Sequence, residues 1–230
     1  MAYTKLNRNK TAEEPDEFIN ASQKILNFVL ERKIYFFIGL LLIFFMTMSF
    51  SIYKYYVEKA ENEGSAQFKI ITGKYDNLLN TSGPKIAYSS VKKDFDSIIE
   101  EFSGTVSAEM AIVKYGDISF KSGDFDTAII MYEKAQEKFN DSSLNNLILC
   151  NLAYSYEAKK DYRQSIKYFN KIVSGVDLLK KDEALFSLAR LYSKTGEKKQ
   201  GLEAYNKIVK EYPESLYYKV AKEWKQISFK

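Results

Sequence analysis

Three stretches decide how this chain is read. They are "EMAIVKYGDISFKSGDFDTAIIMYEKAQEKFN" (Glu109–Asn140), "NLILCNLAYSYEAKKDYRQSIKYFNKIVSGVD" (Asn146–Asp177) and "DEALFSLARLYSKTGEKKQGLEAYNKIVKEYP" (Asp182–Pro213). Their starts lie 37 and then 36 residues apart, a period that marks helix pairs stacked in a row. Counted from one, position 4 holds Ile112, Leu149 and Leu185, and position 7 holds Tyr115, Leu152 and Leu188. Position 8 is small (Gly116, Ala153, Ala189), as is position 20 (Ala128, Ser165, Gly201). Position 24 is aromatic (Tyr132, Phe169, Tyr205), and position 27 holds Ala135, Ile172 and Ile208. Small residues let the two helices of a pair approach, and the large ones fill the space between them. Gly123 and Gly196 fall at the turn, where positive φ costs glycine little. Asp124 and Asp161 follow as helix caps. No alternating strand pattern is present, so the expected fold is all-α. One pair cannot bury its apolar face alone, and about three must stack for stability.

This order of large, small and aromatic positions resembles the tetratricopeptide repeat, a unit of about 34 residues, with two or three extra residues in the loops. The resemblance implies a surface for binding protein segments, with positions 2, 5, 9, 12 and 13 of each unit on a concave face. Carried onto this sequence, it assigns Met110, Val113, Asp117, Phe120 and Lys121, then Leu147, Cys150, Tyr154, Glu157 and Ala158. The third unit contributes Glu183, Phe186, Arg190, Ser193 and Lys194. Nine of these form the candidate groove: Val113, Asp117, Phe120, Cys150, Tyr154, Glu157, Phe186, Arg190 and Lys194. The mixture suits an extended, partly apolar peptide. The other reading of these residues is packing against neighbouring helices. Leu216 to Phe229 reads as a capping helix, with Val220 and Trp224 over the end of the array.

Two helices precede the repeats. Ala60, Gly64, Phe68, Ile71, Tyr75 and Leu78 recur at helical spacing, and "NTSGPK" ends that helix. Gly64 and Gly73 each cost it about 1 kcal/mol relative to alanine, so it must rely on packing. Tyr88, Val91, Phe95, Ile98 and Phe102 are in phase on the next, which Ser103-Gly104 closes.

Further upstream, Ile34 to Ile52 is a run of nineteen residues without a charge. As a helix it covers about 28 Å, close to the ~30 Å hydrocarbon core of a bilayer. Tyr35 stands at one end and Tyr53, Tyr55 and Tyr56 at the other, where interfacial aromatics belong. A cleaved signal is shorter and starts sooner, so the run is expected to be a retained anchor. The flanking lysines and arginines tie. Lys5, Arg8 and Lys10 tip the balance towards a cytoplasmic N-terminus and an exported C-terminal domain. In the tail, "TKLNRNKTAEE" is expected to be disordered. Beyond Pro15, Phe18, Ser22, Ile25 and Val29 at helical spacing predict a short amphipathic helix, either at the membrane surface or extending the anchor.

The chain has 230 residues and no histidine, which removes the commonest general base and most zinc sites. Its one cysteine, Cys150, excludes an internal disulfide and reads as a small hydrophobe. Net charge is +4, from 34 basic and 30 acidic residues well interspersed, so nucleic acid is not an expected partner. There is no glycine-rich phosphate loop. Asp94, Asp96, Glu100 and Glu101 lie on the solvated side of their helix. No catalytic residue, metal or cofactor is expected, and the chain reads as a non-enzyme.

The expected organisation is a cytoplasmic tail with an amphipathic helix (1–33), a transmembrane helix (34–53), a membrane-proximal long helix and a capping helix (54–104), and three helical hairpins with a C-terminal cap (105–230). With "EEPDEF" in the tail, this order of parts resembles the YfgM-like family of bacterial inner-membrane tetratricopeptide proteins, ancillary subunits of the SecYEG translocon. The resemblance implies a single-pass protein with its repeats in the periplasm. Its partners would be translocon subunits, a periplasmic chaperone or exported polypeptides, in an adaptor or holdase role. The rival reading is a structural scaffold of another envelope assembly or secretion machine.

Overall fold

The computed structural model describes residues 17–227. The expectation for "TKLNRNKTAEE" therefore lies outside the described residues, as does that for Phe229. The chain divides into two units, Met1–Val57 and Glu58–Lys230.

In the first unit, α1 (Glu17–Glu31) is separated from α2 (Lys33–Ser82) by Arg32 alone. Backbone bonds from Arg32 N to the Phe28 carbonyl and from Phe36 N to the Arg32 carbonyl, both 3.2 Å, flank that residue. The uncharged run opens α2, and its large side chains are exposed throughout, Met46 at 77%. This helix is long and apolar enough to cross a membrane.

The second unit holds the rest of α2, then α3 (Pro84–Glu101), α4 (Val106–Ser122), α5 (Phe125–Lys138), α6 (Asn145–Ala158), α7 (Tyr162–Ser174), α8 (Lys181–Thr195), α9 (Lys198–Glu211) and α10 (Tyr218–Ile227). Every regular element among the described residues is a helix. Each helix from α3 to α10 packs on the next in chain order, the arrangement of a helical solenoid. Pro84 starts α3 at a position where its missing N–H costs nothing. The phased residues Tyr88, Val91, Phe95, Ile98 and Phe102 are all buried. Phe95 stacks on Tyr115 of α4 at 5.4 Å, and Phe68 of α2 meets the Phe95 ring edge-on at 6.5 Å.

The three pairs, α4/α5, α6/α7 and α8/α9, are built as the period predicts. The residues at positions 4, 7, 8, 20, 24 and 27 are buried in all three copies. Burying one such aromatic or aliphatic side chain contributes about 2 kcal/mol. The small positions are needed: a Cβ at Gly116 would stand 2.8 Å from the Tyr132 ring. Gly123 and Gly196 adopt the left-handed conformation, at φ 89° and 85°. Asp124 and Asp161 then cap α5 and α7, accepting from Thr127 N and Gln164 N, each at 3.1 Å. At the same turn of the second pair stands Lys160, a non-glycine at φ 65°.

At the end of the array α10 packs on α9, with Val220 more exposed than expected. Ala221, fully buried, makes the close contact of α10, with Tyr217 packed beside it. Val220 is 40% and Trp224 47% exposed, although the Trp224 ring still stacks on Tyr205 at 6.1 Å.

Candidate partner-binding face

The first helices of the three pairs, α4, α6 and α8, carry the candidate groove residues. Eight of the nine are half-buried or exposed. Cys150 is buried at 1% exposure, and burial, with the Glu183 charge adding, pushes its thiol up to about 12. It packs in the core and offers nothing to a ligand.

Most of the polar members are joined sideways. Asp117 on α4 accepts from Tyr132 OH at 2.6 Å and from Asn151 Nδ2 of α6 at 3.3 Å. Tyr154 on α6 donates to Glu183 Oε1 of α8 at 2.8 Å and lies 3.1 Å from Ser187 Oγ. Burial and the Glu183 carboxylate raise the Tyr154 phenol above its ordinary range, so it remains a donor. Glu157 on α6 is held by both guanidinium nitrogens of Arg190, Nη2 to Oε2 at 2.6 Å, and by Lys194 Nζ at 3.3 Å. Burial opposes ionisation of Glu157, but Arg190 and then Lys194 outweigh it and hold the carboxyl below its ordinary value. Sequence offsets had placed these residues on one face without showing that they bond to each other. Asn151 and Ser187 were missed altogether, because their partners stand 34 and 33 residues away.

The aromatic members are tied less tightly. Phe120 meets Phe125 edge-on at 5.4 Å, while Val113 packs half-buried against the core. Phe186 stacks on Tyr217 at 4.6 Å and meets Tyr205 edge-on at 6.1 Å. Lys194 is exposed, its ammonium 5.4 Å above the Tyr162 ring. The face can therefore offer aromatic edges and aliphatic stems, with few polar groups left unengaged.

A separate open depression of about 710 Å³ lies between the α5–α6 and α7–α8 connections. It is lined by Gln136, Asn140, Asn145, Asn146, Lys171 and Val176, among others. No group of three or more acidic or cysteine side chains among the described residues could hold a metal ion.

Paired helices stacked in chain order define a helical-repeat scaffold. The tetratricopeptide repeat-like domain family matches residues 31–176, and the tetratricopeptide repeat matches residues 183–215. The chain belongs to the tetratricopeptide repeat-like domain family, and its repeats mark it as a protein–protein interaction adaptor. No curated protein sequence matches it. Among solved structures it is similar to a tetratricopeptide repeat protein from Parabacteroides merdae ATCC 43184, at 15% identity and TM-score 0.55. That match covers 68% of this chain, which spans only 57% of the other's length. It is also similar to the MamA RS-1 ArsTM double mutant, at 15% identity and TM-score 0.51, over 66% of this chain and 79% of that one. At these identities the likeness is one of fold.

Proposed function

We propose that this chain is a single-pass adaptor or holdase of the bacterial inner membrane, acting beside the protein-export translocon. Residues 1–33 are its cytoplasmic tail, 34–53 its span, 54–104 the membrane-proximal helices and 105–230 a periplasmic array that receives exported polypeptides or a periplasmic chaperone. One observation carries this reading. The match to the tetratricopeptide repeat-like domain family runs unbroken through residues 31–176, taking in the uncharged run of α2 as well as the first two helix pairs. The resemblance to YfgM-like proteins in order of parts, and the lysines and arginine of the tail, support the placement. Val113, Phe120, Phe186 and Lys194 meet the partner in this proposal. Asp117, Tyr154, Glu157 and Arg190 set the spacing of the helices that present them, and Cys150 stays in the core.

Two measurements test it. A reporter active only outside the cytoplasm, fused after Lys230, is expected to be active; silence with the fusion protein present overturns the export reading. Photo-crosslinkers at the exposed positions Lys121, Leu147 and Lys194 are expected to label nascent exported chains or a translocon-associated chaperone. Labelling of one fixed envelope component instead replaces the adaptor with the scaffold.

A further inference from the structure

We infer that α1 is a second membrane-contacting element that lies along the lipid–water interface, with Arg32 as the point where the chain turns into the span. The inference rests on the reading of α2 as a membrane anchor. At 100° per residue, Ile25, Leu26, Phe28 and Leu30 fall within one arc of about 200°. Gln23, Lys24, Asn27 and Glu31 occupy the remainder. The four apolar side chains are 57–65% exposed, so none of the described residues covers them. The other occupant of such a face would be a partner helix, but the tether favours lipid. Leu30 is four residues from Ile34, about 6 Å along a helix, so α1 starts at the edge of the hydrocarbon whenever the run spans it. An upright α1 would carry its fifteen residues about 22 Å into water with the apolar arc bare. Lying flat buries that arc among the upper acyl chains and keeps the polar arc among headgroups. The helix interruption falls at Arg32, whose guanidinium stands 5.5 Å over the Phe28 ring, an arrangement that keeps the charge at headgroup level. Lys24 and Glu31 offset each other on the polar arc, so apolar area rather than anionic lipid drives the contact.

Nitroxide depth measurements on the full chain test this. Single-cysteine variants Lys24→Cys, Ile25→Cys, Asn27→Cys, Phe28→Cys, Glu31→Cys and Phe44→Cys are labelled and placed in phosphatidylcholine vesicles with and without phosphatidylglycerol. Cys150 is buried and stays unlabelled, which makes the unsubstituted chain the blank. Positions 25 and 28 are expected about 5–10 Å below the phosphates, favouring collision with oxygen over a water-soluble nickel chelate. Positions 24, 27 and 31 are expected to collide with the chelate, and neither pattern should change with phosphatidylglycerol. Distance from the membrane that grows steadily from 31 to 24 means an upright helix and overturns the proposal. Shielding of 25 and 28 from both reagents means a protein partner and overturns it too. Position 44 is the independent check: in lipid it upholds the span whatever α1 does, whereas in water it removes the anchor reading and this inference together.

Discussion

Two seams within the second unit join neighbouring helices by opposite means. Where α2 meets α4, backbone comes close to side chain: a Cβ on Gly64 would collide with Ser107 Oγ and press on the Phe102 ring. Beside it, Glu61 reaches from α2 to the first turn of α4, accepting from Val106 N at 2.7 Å and Ser107 N at 3.0 Å. Where α6 meets α8 the helices are joined instead by the Glu157–Arg190–Lys194 cluster and the Tyr154–Glu183 bond. The first seam depends on absent volume and on a carboxylate at a helix N-terminus, and it tolerates no enlargement. The second depends on ionisation, so it is sensitive to pH.

Substituting Gly64→Leu should do the most damage, costing about 3 kcal/mol by overpacking, read as a lowered urea midpoint. Because the clash is one of volume, the loss should be equal at pH 7 and pH 4; a loss that varies with pH would mean that the substitution also displaces the Glu61 carboxylate. Next comes Glu157→Ala, which leaves Arg190 unpaired at its seam and should cost about 2 kcal/mol at neutral pH. The folded-state value of Glu157 lies below its ordinary 4.5, so its stabilisation is fully present above that value. It is lost as pH falls through the folded value. Urea stability of the native chain should therefore drop on acidification below 4.5, and Glu157→Gln should flatten part of that drop. Asp124 contributes a further part. Burial opposes its ionisation, but Tyr88, Thr127 and Lys92 hold it below its ordinary range.

Smaller effects sharpen the contrast. Removing the remote cap with Glu61→Ala should cost about 1 kcal/mol at neutral pH in the same urea measurement. Lys160→Gly should stabilise the array by about 0.5–1 kcal/mol, because the left-handed turn at φ 65° is strained for a lysine and not for a glycine. A raised thermal midpoint would show it. No gain would mean that the Lys160 backbone strain is already relieved by its surroundings.

The helix pairs were legible because six positions repeat three times, and each repetition fixes the same inward side. Gly64 shows what one copy leaves out. The sequence marks it as a helix cost that packing must offset, but the Ser107 and Phe102 it accommodates lie more than thirty residues on. Gly73, which looks the same in sequence, faces open space. The turn at Lys160 was hidden because nothing in that residue type announces a positive φ; only its place in the period does. On the candidate face, family offsets identified the row of residues but not how they join. A position 9 or 12 side chain can point at a guest or at the next repeat, and only the distance between helices decides. At the far end, Val220 and Trp224 drew attention by size, while Ala221 makes the buried contact because it is small.

The sideways bonding of Asp117, Tyr154 and Glu157 has a consequence for selectivity. A surface whose donors and acceptors are already matched has little left with which to tell one amino-acid order from another. A partner at such a face would be chosen by contour and greasiness, so unrelated chains of similar bulk would be accepted about equally well.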